Sequence, residues 1–209
     1  MARGSIRSTE RAGRPLPVPF FQRPSDIVAR ELIGAILEVC TGRTIVRGRI
    51  VETEAYLGVD DPASHAYAHR RNAGNLSLYA APGTWYVYRS YGIHWCANLI
   101  AGGRPIAAAV LLRALEPLDG LGLMRRRRGS GVPDRVLANG PGKLCQALAI
   151  DRRLDGVPMG RSWARVIGGA GADEVVVTPR IGITKAVDWP LRFVAAGTVW
   201  ASRPTARRS

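Results

Sequence analysis

Hydrophobic and polar positions change period several times along the chain, and each change marks a predicted element. In "DIVARELIG", Val28 and Leu32 lie four apart on one helical face, with Ser25 or Asp26 as the cap and Gly34 past the end. "AILEVC" and "RTIVRGRIVETEAY" switch to strand patterning, joined by a turn at Thr41-Gly42. A loop rich in Asp, Ala, Arg and Asn then runs to about Gly83. "TWYVYRSYGIHWCANLI" reads as a hairpin: aromatics at period two, a short turn near residues 90–92, and a second strand through Asn98. "IAAAVLLRAL" is a continuous apolar strand, interrupted late by Arg113. "MRRRRGSGVPDRVL" is expected to be a mobile cationic connection. "GPGKLCQALAI" opens on Gly-Pro and reads as a helix with Leu144, Leu148 and either Ala149 or Cys145 inward. Short strands are expected around 175–177, 191–194 and 199–201. With no internal repeat and no dividing linker, the pattern predicts one α+β domain around an antiparallel sheet.

Composition sharpens this picture in two ways. Hydrophobic residues make up 46% of the 209, enough for a sizeable core. Thirty Lys+Arg against 16 Asp+Glu give a net charge of +14, nearly all of the cations being arginine. Such a field attracts polyanions, with nucleic acid ahead of acidic membranes. Residues 1–17 carry four arginines and two prolines without periodicity and are expected to form a mobile basic arm. Residues 18–203 form the folded domain in this reading, and 204–209 a basic tail. No apolar run has membrane-spanning length, and the first residues lack the apolar centre of a signal peptide. Cys40, Cys96 and Cys145 lie far apart in apolar stretches, which fits buried thiols in a reducing cytoplasm.

Candidate chemistry gathers on the strands. Side chains alternate along a strand, so Glu52, Glu54 and Tyr56 share one face, opposite Val51, Thr53 and Ala55. In the hairpin Tyr86 and Tyr88 share a face, and His94, Cys96 and Asn98 share another. Aromatic walls around a carboxylate suit a nucleobase, since every base has a π face. The alternative is ordinary sheet packing, with the glutamates paired to arginines. At the hairpin tip, Tyr91 stands where small polar residues are usual. Either the tip folds back onto the body, or the ring is a wedge for a base step or for the gap an extruded base leaves. His65 and His69, with Asp60 and Asp61 upstream, lack the context of a metal site, and none is expected. "GPGKL" fails as a P-loop because Leu137 stands at its first glycine and Leu144 at its Ser/Thr; the helix start at Gly142 and Lys143 could still hold a phosphate.

Taken together, "RIVETEAYLG", "DDPASH", "PGTWYVYRSYGIHWCANL", "AVLLRALEPLDGL", "NGPGKLCQALAI", "RIGIT" and "PLRF" closely resemble the alkyladenine-type 3-methyladenine DNA glycosylases, over roughly residues 22–202. The arm, the loop at 66–80 and the arginine run at 125–128 fit that family least well. The resemblance implies a curved antiparallel sheet with flanking helices and a protruding hairpin. It also implies hydrolysis of the N-glycosidic bond of damaged purines flipped from double-stranded DNA, approached from the minor groove. Glu54, not Glu52, would be the base that activates water; Arg113, and the Ile181 carbonyl, would help hold that water. Tyr56, His65 and Tyr88 would wall the flipped base, Tyr86 would support His65, and Asn98 would face the purine 2-position. Tyr91 would be the intercalating wedge. No metal or other cofactor is implied. Lyase chemistry would need Lys143 or Lys185, and the resemblance points away from it. A bacterial-type cytoplasmic, nucleoid-associated monomer is the expected setting. The competing reading is a non-catalytic DNA-binding or damage-sensing protein.

Overall fold

The computed structural model describes residues 13–103 and 106–204. Among these, eight strands form one antiparallel sheet: β1 (Ile36–Thr41), β2 (Thr44–Tyr56), β3 (Trp85–Ser90), β4 (His94–Ala101), β5 (Ala108–Asp119), β6 (Ala164–Ile167), β7 (Val175–Thr178) and β8 (Arg192–Ala195). The order is β3-β4-β5-β2-β1-β6, and β8 pairs with β2 beyond the start of β1 and carries β7 on its far side. Four helices accompany it: α1 (Val18–Phe21), α2 (Ser25–Glu31), α3 (Leu121–Arg128) and α4 (Pro141–Leu148).

Alternation divides the sheet into two faces. Trp85 and Val87 of β3, Ala97 and Leu99 of β4, and Val110 and Leu112 of β5 enter one core with Val28, Leu32, Leu144 and Leu148 of the helices. The intervening residues Tyr86, Tyr88, Cys96, Asn98 and Leu111 line a cavity on the opposite side. Gly34 lies past the end of α2 as the pattern predicts, taking φ +91°, and the two hairpin turns fall at residues 42–43 and 91–93, each one residue later than expected.

The central strand departs from simple alternation. Val46 and Ile50 face the core, so plain period two would send Glu52 and Glu54 there as well. Instead Val51 has no partner between Ile50↔Leu115 and Glu52↔Ala114, and Arg113 has none between Ala114 and Leu112. These facing β-bulges reverse the phase, since an extra residue shifts every later side chain to the other side. Thr53 and Ala55 take over the core positions, the Thr53 hydroxyl donating to the Ala29 carbonyl at 2.8 Å. The glutamates turn out of the helical core and meet Arg113.

Several expectations are corrected. Pro24, not Ser25 or Asp26, precedes the first turn of α2, and the Ser25 hydroxyl donates to the Tyr56 carbonyl. The arginine run is helical: α3 lies on α4, where Arg127 donates to the Ala147 carbonyl and Arg128 to that of Leu137. The run thus caps a neighbouring helix end, which favours cations. Ala149 is the left-handed C-cap of α4, while Cys145 is buried within it. Residues 164–167 form an unexpected strand, and 199–201 form none. Residues 13–17, expected in the arm, lie on the edge of β6, where the Leu16 amide donates to the Val166 carbonyl. Residues 1–12 and 205–209 of the expected arm and tail lie outside the described residues. The three cysteines are free, but Cys40 is only half-buried and Cys96 lines the cavity. No helix among the described residues is long and apolar enough to cross a membrane.

Candidate active site

The cavity on the open face measures about 640 Å³. Register builds it: Tyr86 pairs with Asn98 and Tyr88 with Cys96, so residues read as two separate faces form one wall. The loop after β2 delivers His65, whose Nδ1 lies 2.7 Å from the Tyr86 hydroxyl. The His65 and Tyr88 rings touch edge-on with centroids 4.5 Å apart, and Tyr86 stacks on Tyr88 at 5.3 Å. No planar base fits between His65 and Tyr88, so the pair is one side of a slot. Tyr56 also lines the cavity, and one face of its ring is covered by the Arg180 guanidinium at 4.7 Å. Burial, with Arg70 nearby, lowers the proton affinity of His65, which favours a neutral imidazole. Asn98 donates through Nδ2 to the Tyr86 carbonyl at 3.1 Å, which fixes its amide at the cavity floor.

Glu54 sits behind this cavity, 0% exposed, and three lining residues hold it. The Ile181 amide donates to Oε1 at 2.7 Å and the Tyr56 hydroxyl to Oε2 at 3.0 Å. Arg113 Nη1 lies 3.2 Å from Oε2. Burial pushes the Glu54 carboxyl up, by more than Arg113 and the Ile181 amide bring it down. Glu52 is equally buried, yet Arg113, Ser202 and Arg192 outweigh the burial and hold it below the usual range. Two glutamates two residues apart therefore shift in opposite directions: burial prevails at Glu54, and the larger set of cationic and hydrogen-bonding partners prevails at Glu52.

At the hairpin tip Tyr91 is 89% exposed and left-handed, with φ +49°. A non-glycine residue there carries strain of about 1–2 kcal/mol. The tip does not fold back, and neighbouring Ile93 is 66% exposed. The start of α4 lies beside the hairpin: Pro141 lines the cavity, and a Cβ on Gly142 would sit 2.7 Å from that of His94. Lys143 projects from the same turn and donates to the Asn139 side chain.

The sequence model for Methylpurine-DNA glycosylase (MPG) matches residues 19–199. The chain belongs to the methylpurine-DNA glycosylase family. Its relatives include a Koribacter versatilis protein, under the provisional name 3-methyladenine DNA glycosylase, 45% identical over 90% of this chain and 93% of its own length. A mouse DNA-3-methyladenine glycosylase is 42% identical over 88% of this chain and 60% of its own length. Membership makes the chain a hydrolase of N-glycosidic bonds in DNA.

Within this glycosylase the structure adds residues that the pattern did not single out. Asp61, read only as an upstream carboxylate beside the two histidines, forms a wholly buried pair with Arg180. Arg180 also donates to the Ala55 carbonyl and directly precedes Ile181, so it fixes both Tyr56 and the amide that holds Glu54. Arg192 and Ser202 converge on Glu52. Their only sequence signal is polar residues close to apolar runs. His69 does not join His65, and no cluster able to hold a metal occurs among the described residues. Of the two lysines, Lys185 lines the cavity and Lys143 opens α4.

Proposed function

We propose that this glycosylase flips alkylated purines out of duplex DNA into the slot between Tyr56 and the His65–Tyr88 wall, where a water activated by Glu54 hydrolyses the glycosidic bond. The observation that supports this reading is a single buried carboxylate held by three residues of an aromatic cavity. A 3- or 7-alkylated purine is cationic. Electron-rich rings stabilise it, and a neutral His65 adds no repulsion. The water gives a proton to Glu54 as its oxygen bonds C1′, and the C1′–N bond breaks with its electron pair leaving on the purine. A cationic purine departs as a neutral molecule. Attack comes from the face opposite the leaving base, as in inverting glycoside hydrolysis. Arg113 and the Ile181 carbonyl help place the water, and Tyr86 braces His65. Asn98 disfavours the 2-amino group of guanine, a penalty that a cationic 7-alkylated guanine offsets by leaving readily and a normal, neutral guanine does not. A deaminated purine is neutral and needs a proton on its leaving nitrogen as well, so it is the slower substrate.

Tyr91 fills the gap left in the stack from the minor-groove side, and the Gly142 and Lys143 amides with the Lys143 ammonium take a backbone phosphate. The protein acts as a monomer in the bacterial cytoplasm at the nucleoid, without metal or redox cofactor.

Base release from an alkylated duplex under single-turnover conditions tests this reading. Glu54→Gln keeps the shape and removes the base, so release falls by about 10²–10⁴-fold while binding of the damaged duplex stays within a few-fold. Undiminished release by that variant refutes the assignment of Glu54. No release by the unsubstituted protein, with tight damage binding, favours a sensor instead.

A further inference from the structure

We propose that Glu52 is a positioning residue for excision: it holds the rear of the Arg113 guanidinium and so presents a single edge of Arg113 to Glu54. This rests on the reading of Glu54 as the base. Glu52 is 0% exposed, and of its partners Arg113, Arg192 and Ser202 only Arg113 lines the cavity, whereas all three partners of Glu54 do. The Glu52 oxygens are fully engaged. Oε1 accepts from Arg113 Nε at 3.0 Å, Arg192 Nε at 2.7 Å and the Ser202 hydroxyl at 2.7 Å; Oε2 accepts from the Ser202 amide at 2.6 Å. Arg113 Nη2 lies 3.4 Å from the same hydroxyl. Only Nη1 is left to approach Glu54.

An arginine free to turn would close a two-point pair on Glu54, and both carboxylate oxygens would be withdrawn from the water. Glu52 prevents this by taking Nε, and the bulge at Arg113 aims the side chain between the two glutamates. The clamp is completed from the far end of the chain. Ser202 comes from the segment after β8, which is tied down where Arg192 donates to the Arg203 carbonyl at 3.0 Å. Charge balance points the same way. Glu52, Glu54, Arg113 and Arg192 sum to zero, and removing the Glu52 charge leaves Glu54 in a net positive surround. The groups facing Glu54 are Glu52 and Tyr56 on β2, Arg113 on β5, Cys96 on β4 and the Ile181 amide before β8. Of these, Glu52 is the second carboxylate and the one that raises Glu54's proton affinity by charge alone.

The test has two readouts on the full chain. In Glu52→Gln, the single-turnover plateau falls about 10- to 100-fold with damaged-duplex binding within about threefold, and the acid limb of the pH profile moves to lower pH. Carbon-13 titration of labelled glutamate carboxyls in the DNA-free protein follows Glu54 directly and moves the same way. A folded Glu52→Gln with wild-type plateau and acid limb overturns the proposal. Should that variant not fold, Ser202 carries the test. Ser202→Ala loses a few-fold in plateau and Ser202→Thr restores it, whereas equal rates for both overturn the clamp. If the unsubstituted protein releases no base, the reading of the site fails, while the carboxyl titration still decides whether Glu52 governs Glu54.

Discussion

Glu54 combines burial with three polar partners, and its raised proton affinity fixes the sign of a pH effect. Burial favours the neutral acid, so the carboxyl takes up a proton at a pH above the ordinary glutamate value of about 4.3. A base works only when ionised. Excision therefore falls as pH drops through that raised value, and the fall is absent from a binding titration of the same duplex. An acid limb at or below the ordinary range, measured by single-turnover release, contradicts this environment. The sequence made the tyrosines and the carboxylate pair legible, because period two marks who shares a face. It could not separate Glu52 from Glu54, which have equal spacing and equal burial. What separates them is their partners, Ser202 and Arg192 for one and Ile181 for the other, contacts that come from 127 to 150 residues away.

Among the elements, the β3–β4 hairpin carries the plainest prediction. Tyr91 is 89% exposed, and alanine keeps the Cβ that makes its left-handed backbone costly, so Tyr91→Ala leaves thermal stability unchanged. Release from duplex DNA falls about tenfold or more, and release from single strands much less, because only a duplex closes over an empty position. Equal losses on both substrates rule out a wedge. The hairpin, α4 and the long apolar strand were legible since each has one strong period. Two features were not. The arginine run looks like a solvated connection until Arg127 and Arg128 are seen to cap carbonyls in and before α4. The paired bulges at Val51 and Arg113 leave no mark in a sequence, yet they turn both glutamates away from the core.

For the whole molecule, buried carboxylates couple stability to pH. Glu38 lies 0% exposed between Arg47 and Arg165, joining β1, β2 and β6; burial raises its carboxyl, but the two arginines more than offset this and hold it low. Glu52 is held low by its own partners. Each contributes stability that is present above the unfolded value near 4.3 and lost as pH falls through the lower folded one. Urea midpoints should therefore drop on acidification through and below the ordinary carboxylate range, and Glu38→Gln should flatten that dependence. An unchanged slope in the variant contradicts the Glu38 contribution. In the proposed function, Glu54 activates a water beside a slot that receives an extruded purine. A crystal structure of Glu54→Gln bound to a duplex carrying one alkylated purine tests it most directly. The expected density shows that purine between Tyr56 and His65–Tyr88, Tyr91 in the vacated stack, and a water between residue 54 and C1′. A lesion still stacked in its helix, with the cavity facing away from the DNA, contradicts the account.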